Sequence, residues 1–242
     1  MKAPPAPPVP RPLMYHHWRE LTFLHWPYPP AVVQALLPAP LEVDTFDGAA
    51  WVGLVPFLMD QVRVPGLPAL PWASRFPETN VRTYARGPDG QAAIWFLSLD
   101  AARLPAVLAA RAGYRLPYFW SRMSVRREAV RLAYRAERRW PGPKGARCDA
   151  DVEVGARFGQ DELGELDHFL TARHYLYTMI AGRPAIAAAE HEPWPLCSAR
   201  VIGLEQDLLP AAGLPAPQGA PVVHACHGGV HVRIGMWKRV GR

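Results

Sequence analysis

The segment PETNVRTYARGPDG, from Pro77 to Gly90, sets a carboxylate, an amide, a guanidinium and a phenol at alternate positions. In an extended chain Glu78, Asn80, Arg82 and Tyr84 share one face, because successive side chains of a strand point to opposite sides. Four polar groups on one side of a strand need partners, and a buried arginine in particular wants a carboxylate. Two arrangements answer that demand. In one, Glu78 and Arg82 neutralise each other and hold the sheet in register. In the other, Arg82 offers its planar fork to a small anionic ligand, and Glu78 carries a proton at a raised pKa. Both remain open at the level of sequence.

Aromatic residues supply the rest of a candidate pocket. Tyr118 stands beside Phe119 and Trp120, and Trp72, Trp95 and Phe96 are expected to gather near them. A second cluster, Arg173, His174, Tyr175 and Tyr177, follows a predicted helix. There Arg173 either reaches a ligand or caps the last carbonyls of that helix. His224, Cys226, His227 and His231 are chemically suitable zinc ligands. On a strand, however, His224 and Cys226 face one side and His227 the other, and Gly228-Gly229 interrupts them. No metal is assigned. His16-His17 reads as a lead-in segment rather than a site. The run Arg122, Arg126, Arg127, Arg131, Arg135, Arg138 and Arg139 is broken by Glu128 and Glu137. It reads as a solvated face rather than a track for a phosphate backbone. Phosphate-loop, dinucleotide-loop and serine-elbow motifs are absent.

The elements that must position these groups are short and strand-rich. Pro30 opens a predicted helix with Val33, Leu36 and Leu37 on one face, and Pro38 stops it. Leu41–Phe57 reads as a hairpin turning at Asp47-Gly48, and residues 62–77 as a proline-broken loop. Strands are predicted over Asn80–Ala85 and Ala93–Leu99, on either side of the turn Gly87–Gly90. Helices are expected over Leu104–Ala112 and Asp161–Arg173. Ser121–Trp140 fits a helical stripe and a strand alternation equally well. Later strands are read at Ala199–Leu204, Val222–Ala225 and Val230–Ile234. Residues 1–13, rich in proline, are expected to form a flexible tail, and residues 14–242 a single domain.

The chain has 242 residues, half of them apolar, with a formal charge of +6. Only Lys2, Lys144 and Lys238 are lysines, so 24 of the 27 basic residues are arginines. No apolar run reaches the ~18 residues of a membrane span, and the N-terminus lacks the apolar core of a signal peptide. Three scattered cysteines, Cys148, Cys197 and Cys226, read as buried free thiols. A cytoplasmic protein is expected, with no nucleic-acid or membrane partner, no cofactor, and edge strands that make a homodimer feasible.

The series HWPYP, LLPAPLEVDTFDGAAWVGLVPF, ETNVRTYA, WFLSLDA, ARAGYRLPYFW, FLTARHYLY and HEPWPL resembles the YqjF-like family, whose function is unknown. The resemblance runs from Tyr15 to Val240. It implies an α+β, strand-rich fold similar to acetoacetate decarboxylase: a curved antiparallel sheet forming a partly closed barrel, peripheral helices, and an interior cavity. That enzyme family uses a cavity lysine as Schiff-base nucleophile. Here Tyr118 takes the comparable place, with Glu78 or Asn80 near the family's strand glutamate. A phenol cannot form a Schiff base. The expectation is therefore a cavity for a small carboxylate- or ketone-bearing molecule. Glu78 and Tyr118 are its candidate catalytic groups, and Asn80, Arg82, Tyr84, Trp95, Trp120, Arg173 and Tyr175 its candidate ligand contacts. Two alternatives stand beside it: a scaffold whose interior is filled by its own aromatics, and nucleic-acid binding through the arginine run.

Overall fold

Period-two patterning becomes strand wherever it was read, and in several places where it was not. The computed structural model describes residues 5–159 and 161–240; the first four residues of the expected tail lie outside them. The chain opens with β1 (Met14–Arg19), β2 (Leu21–Tyr28) and the short helix α1 (Pro30–Gln34). Next come β3 (Glu42–Val43), β4 (Thr45–Phe46) and β5 (Ala49–Arg63). The β4–β5 hairpin turns where predicted, with φ 51° at Asp47 and 72° at Gly48. Two successive positive φ values match the right-handed twist of the flanking strands.

β6 (Phe76–Arg86) and β7 (Ala92–Ala101) extend both predicted strands, and α2 (Leu104–Gly113) follows. The ambiguous segment is a hairpin of β8 (Tyr118–Glu128) and β9 (Arg131–Trp140). Strand wins there because Leu132, Tyr134, Ala136 and Arg138 all enter the interior at a spacing of two. Then come β10 (Arg147–Arg157) and α3 (Glu165–Thr171). The helix is shorter than predicted because Gly164 is its N-cap, the Gly164 amide donating to Asp167 Oδ2 at 2.7 Å. The chain ends with β11 (Tyr175–Ile180), β12 (Arg183–His191), β13 (Cys197–Gln206), α4 (Leu208–Ala211), β14 (Val222–Cys226), β15 (Val230–Ile234) and β16 (Lys238–Arg239).

The strands pair into one sheet that closes on itself twice. One ring runs through β1, β15, β12, β11, β7, β6 and β5 and back to β1. The other runs through β7, β8, β9, β10, β13, β14, β2, β5 and β6. The pairings are antiparallel except where β7 meets β11 and β8 in parallel. β5, β6 and β7 form a wall common to both rings, so alternate side chains along that wall serve different interiors. Val52, Leu54 and Val81 enter the larger ring, whose core also holds Leu24, Trp26, Leu132, Tyr134, Ala150 and Val152. Burying each such aliphatic side chain contributes about 1.5–3 kcal/mol. The larger ring is therefore the principal source of stability, and the smaller one is free to hold polar groups.

The proline-rich segment is tied down within the described residues. Val9 is buried and its amide donates to Glu190 Oε2 at 2.7 Å, and the Leu13 amide donates to the Ile234 carbonyl at 2.7 Å. An untethered terminus is thus not what the chain has from Val9 onward. No helix among the described residues is long and apolar enough to cross a membrane. Cys148, Cys197 and Cys226 are buried free thiols, as read.

Candidate functional site

The smaller ring encloses a cavity of about 110 Å³. At ~10–15 Å³ of cavity per ordered water, that is room for a molecule of roughly seven to eleven heavy atoms. The alternation along β6 places Glu78, Asn80 and Arg82 in its wall. Their cross-strand partners on β5 are Phe57, Val55 and Gly53 in that order. On β7 a bulge leaves Leu97 unpaired, since Val81 faces Ser98 while Arg82 faces Phe96. A bulge shifts the side-chain phase by one residue. Phe96 and Leu99, three apart, therefore both line the cavity. Tyr118 enters from β8, next to Leu99 in the parallel ladder. Arg173 and Tyr175 also line it, so six of the nine candidate residues meet there.

Glu78 is 3% exposed, and burial pushes its carboxyl up to about 8. The Tyr118 hydroxyl donates to its Oε2 at 3.2 Å, which opposes the rise, while the charge of Asp100 adds to it. Near neutral pH the carboxyl thus holds its proton. The phenol of Tyr118 is held well above its ordinary range, first by burial and then by Glu78. The two form a neutral proton-bearing pair facing an apolar space.

Glu78 and Arg82 do not neutralise each other. Among the described residues Arg82 has no ion-pair partner; its Nη2 donates to the Leu170 carbonyl at 3.1 Å and its Nε has no acceptor. The guanidinium lies over the rings of Phe23, at 5.1 Å, and Tyr84, at 5.8 Å. Arg173 differs. Its Nη1 is paired with Asp44 at 2.8 Å and its Nε caps the Phe169 carbonyl near the end of α3, also at 2.8 Å. One arginine in the cavity wall has its counter-charge and the other lacks one.

Three expected contacts lie elsewhere. Tyr84 continues the β6 face but is covered by α3: its hydroxyl donates to the Leu170 carbonyl and accepts from His25 Nε2 at 2.7 Å. That assignment leaves His25 neutral with a bare Nδ1, in line with a pKa held well below its ordinary value by burial, then by Arg82 and His224. Trp95 points to the outer side of the sheet, with Leu37 and Tyr177. Trp120 is 37% exposed and faces Trp140 across the β8–β9 hairpin. Trp72 is also far from the interior, at 64% exposure.

Gly53 shows how tightly the polar layer is built. A Cβ there would lie 2.7 Å from His25 Nε2. Gly53→Ala is expected to cost about 1–3 kcal/mol by displacing His25 from Tyr84. An unchanged urea midpoint contradicts this packing.

Residues outside the sequence reading complete the cavity. Trp18 stacks on Trp194 at 6.1 Å, and His191 packs against Trp194 at 4.9 Å. His16, read as a lead-in, lines the cavity, and its Nδ1 accepts from Trp18 Nε1 at 3.3 Å. Burial pushes both His16 and His191 down to about 4, so neither carries charge at neutral pH. The ring interior is not filled by these aromatics, as the scaffold alternative requires.

The candidate zinc residues do not converge. His224 is hydrogen-bonded to Asp167 at 2.8 Å, and His231 stacks on His17 at 4.2 Å. No group of three or more such ligands is poised for a metal among the described residues. In the arginine run, Arg122 pairs with Glu137, Arg127 with Glu20, and Arg135 with Asp151. Arg138 departs from the solvated face altogether: it is buried against Asp100.

Residues 15–229 match the model of DUF2071, a family described as an uncharacterized conserved protein. Over 213 residues the sequence is 34% identical to the uncharacterized protein YqjF of Bacillus subtilis (strain 168), covering 88% of this chain and 86% of that protein. The chain belongs to this family. Among solved structures it is similar to an acetoacetate decarboxylase from Legionella pneumophila, at 13% identity and a TM-score of 0.67, covering 98% of this chain and 92% of that one. It is also similar to the enduracididine biosynthesis enzyme MppR complexed with pyruvate, at 15% identity and a TM-score of 0.64, covering 95% and 91%. At such identities the likeness establishes the fold. The strand-rich fold of this DUF2071 member is acetoacetate-decarboxylase-like.

Proposed function

We propose that the cavity binds a small organic acid that carries both a carboxylate and a carbonyl. In this reading Arg82 takes the carboxylate, Asn80 lies alongside it, and the Tyr118–Glu78 pair hydrogen-bonds the carbonyl. Any chemistry is proton transfer, with Glu78 as the acid–base group and Tyr118 as donor. The observation that carries the proposal is the buried guanidinium of Arg82, which lacks a counter-ion among the described residues. A charge taken out of water is costly unless paired, and a planar guanidinium fits a carboxylate bidentately. The cavity volume limits the ligand to about the size of a short oxo acid. The fold neighbour solved with pyruvate supports the ligand class by analogy only.

Covalent amine catalysis does not fit the lining residues. Among the described residues no lysine lines the cavity, and Lys144 and Lys238 are exposed, in a turn and in β16 respectively. A Schiff base needs an amine. Free buried thiols fit a reducing, cytoplasmic setting.

A thermal-shift panel of 2-oxo and 3-oxo acids, with the matching alcohols as controls, tests the reading. A member present at about 100 times its Kd stabilises the protein by roughly 2.7 kcal/mol. Arg82→Met is expected to weaken binding ~10- to 100-fold through loss of the charged hydrogen bonds. Far-UV dichroism on that variant checks that it is folded. A flat panel, or binding that Arg82→Met leaves unaltered, refutes the assignment.

A further inference from the structure

The common wall β5–β6–β7 ends in a fork on each side. On β5, β2 pairs with residues 50–54 and β1 with residues from Leu58 onward. That fork is closed by the chain itself, because β1 runs into β2 through the single residue Glu20. On β7, β11 pairs at Ile94 and Trp95, and β8 pairs from Leu99. Between them, at residues 96–98, the outer edge of β7 has no ladder partner among the described residues. A groove of about 750 Å³ lies against this gap, bordered by Trp95, Phe96, Leu97, Leu116, Tyr177 and Thr178. Phe96 and Leu116 line the groove and the cavity alike.

The loop that spans the fork is held under strain. Arg115 has φ 56°, a left-handed conformation that a non-glycine residue adopts at a cost of order 1–3 kcal/mol and keeps only when its surroundings enforce it. The loop is fastened to both prongs: Thr178 Oγ1 on β11 donates to the Arg115 carbonyl at 3.1 Å, and the Leu99 amide on β7 donates to the Pro117 carbonyl at 3.0 Å. Leu116 sits between these two fastenings. Arg115 is exposed and Arg111 half-buried, and both border the groove.

We propose that this groove is an outer binding site through which small organic anions reach the cavity, with Leu116 as the gate and Arg115 and Arg111 receiving the charge. The proposal extends the reading of the cavity as an anion site, but its test needs no knowledge of the ligand. An Asn80→Cys variant places a thiol in the cavity wall. Its alkylation is followed by mass spectrometry with two probes of similar size, anionic iodoacetate and neutral iodoacetamide. The parent protein supplies the background from Cys148, Cys197 and Cys226.

Adding Leu116→Ala is expected to speed both probes by about tenfold as the gate is cut back, and Leu116→Trp to slow both. Adding Arg115→Glu, at an exposed position, is expected to slow iodoacetate relative to iodoacetamide by about threefold or more, an effect that shrinks with salt. Rates indifferent to Leu116, a charge effect equal for both probes, or an introduced thiol that neither probe reaches in any background overturns the route. Labelling that follows Leu116 beside a flat oxo-acid panel would retain the route and sink the ligand. Oxo-acid binding with rates indifferent to Leu116 would do the reverse.

Discussion

Asp100→Ala is expected to lose about 3–5 kcal/mol of folding stability, and adding Arg138→Met to return most of it. Both side chains are fully buried, 0% exposed, in the wall behind the cavity. The pair is bidentate: Arg138 Nε donates to Asp100 Oδ1 at 2.9 Å and Nη2 to Oδ2 at 2.6 Å. Ser121 Oγ donates to Oδ1 at 2.6 Å, and the guanidinium lies 3.6 Å over the Phe119 ring. Truncating the carboxylate strands a cation with no water to solvate it. Replacing both partners with apolar groups removes the charge as well as the contact, which is often close to neutral. A double-mutant cycle in urea reads the coupling directly. Additive single losses would show that the pair does not act as a unit.

This pair also explains where Tyr118 stands. Asp100 is opposite Phe119 in the parallel β7–β8 ladder, and Ser121 is opposite Arg138 in the β8–β9 hairpin. The Asp100–Arg138–Ser121 unit thus staples β7, β8 and β9 together one residue from Tyr118. The phenol can be aimed at Glu78 because the strand carrying it is fixed from the other face. A charged pair in the wall and a neutral proton-bearing pair in the cavity are two sides of one ladder.

What could be read without coordinates follows the range of the interactions. Period-two alternation is local, and it placed Glu78, Asn80 and Arg82 on one face as observed. The same signal runs through RCDADVEV, where Cys148, Ala150, Val152 and Val154 are buried in alternation along β10. In sequence Arg138 is indistinguishable from its solvated neighbours, because its counter-charge, Asp100, is 38 residues away. Trp95 and Trp120 were expected in the cavity for their chemistry alone, but the β7 bulge and the hairpin edge turn them out. His16, Trp18, His191 and Trp194 meet only because β1 and β12 both pair with β15. Ring closure is set by pairings between distant segments, and no local pattern announces it.

Glu78→Gln is expected to remove a pH dependence that the parent shows on the alkaline side. The carboxyl rises from an ordinary value of 4.5 to about 8 in the folded protein, because burial disfavours its charged form. Between those values the folded chain holds a proton that the unfolded chain has released, so raising the pH favours unfolding. The stability is fully present below about 4.5 and is lost as pH rises through the folded value. At 1.36 kcal/mol per unit, the whole penalty is on the order of 4–5 kcal/mol. Buried His16, His25 and His191 act in the opposite sense, with pKa values held low, so they cost stability as pH falls below their ordinary 6.5. They titrate alike in the parent and in Glu78→Gln, so between pH 6 and pH 9 they cancel in the comparison. Across that window the parent is expected to lose about 2–3 kcal/mol relative to Glu78→Gln, which keeps the shape and the Tyr118 partner but cannot ionise. Parallel stability curves would place the titration of Glu78 outside the window and remove the case for a proton held at neutral pH. A gap that widens with pH would make Glu78 a proton carrier poised for acid–base work in the cavity, since the same burial that destabilises the ionised protein keeps the acid form available to a bound oxo acid.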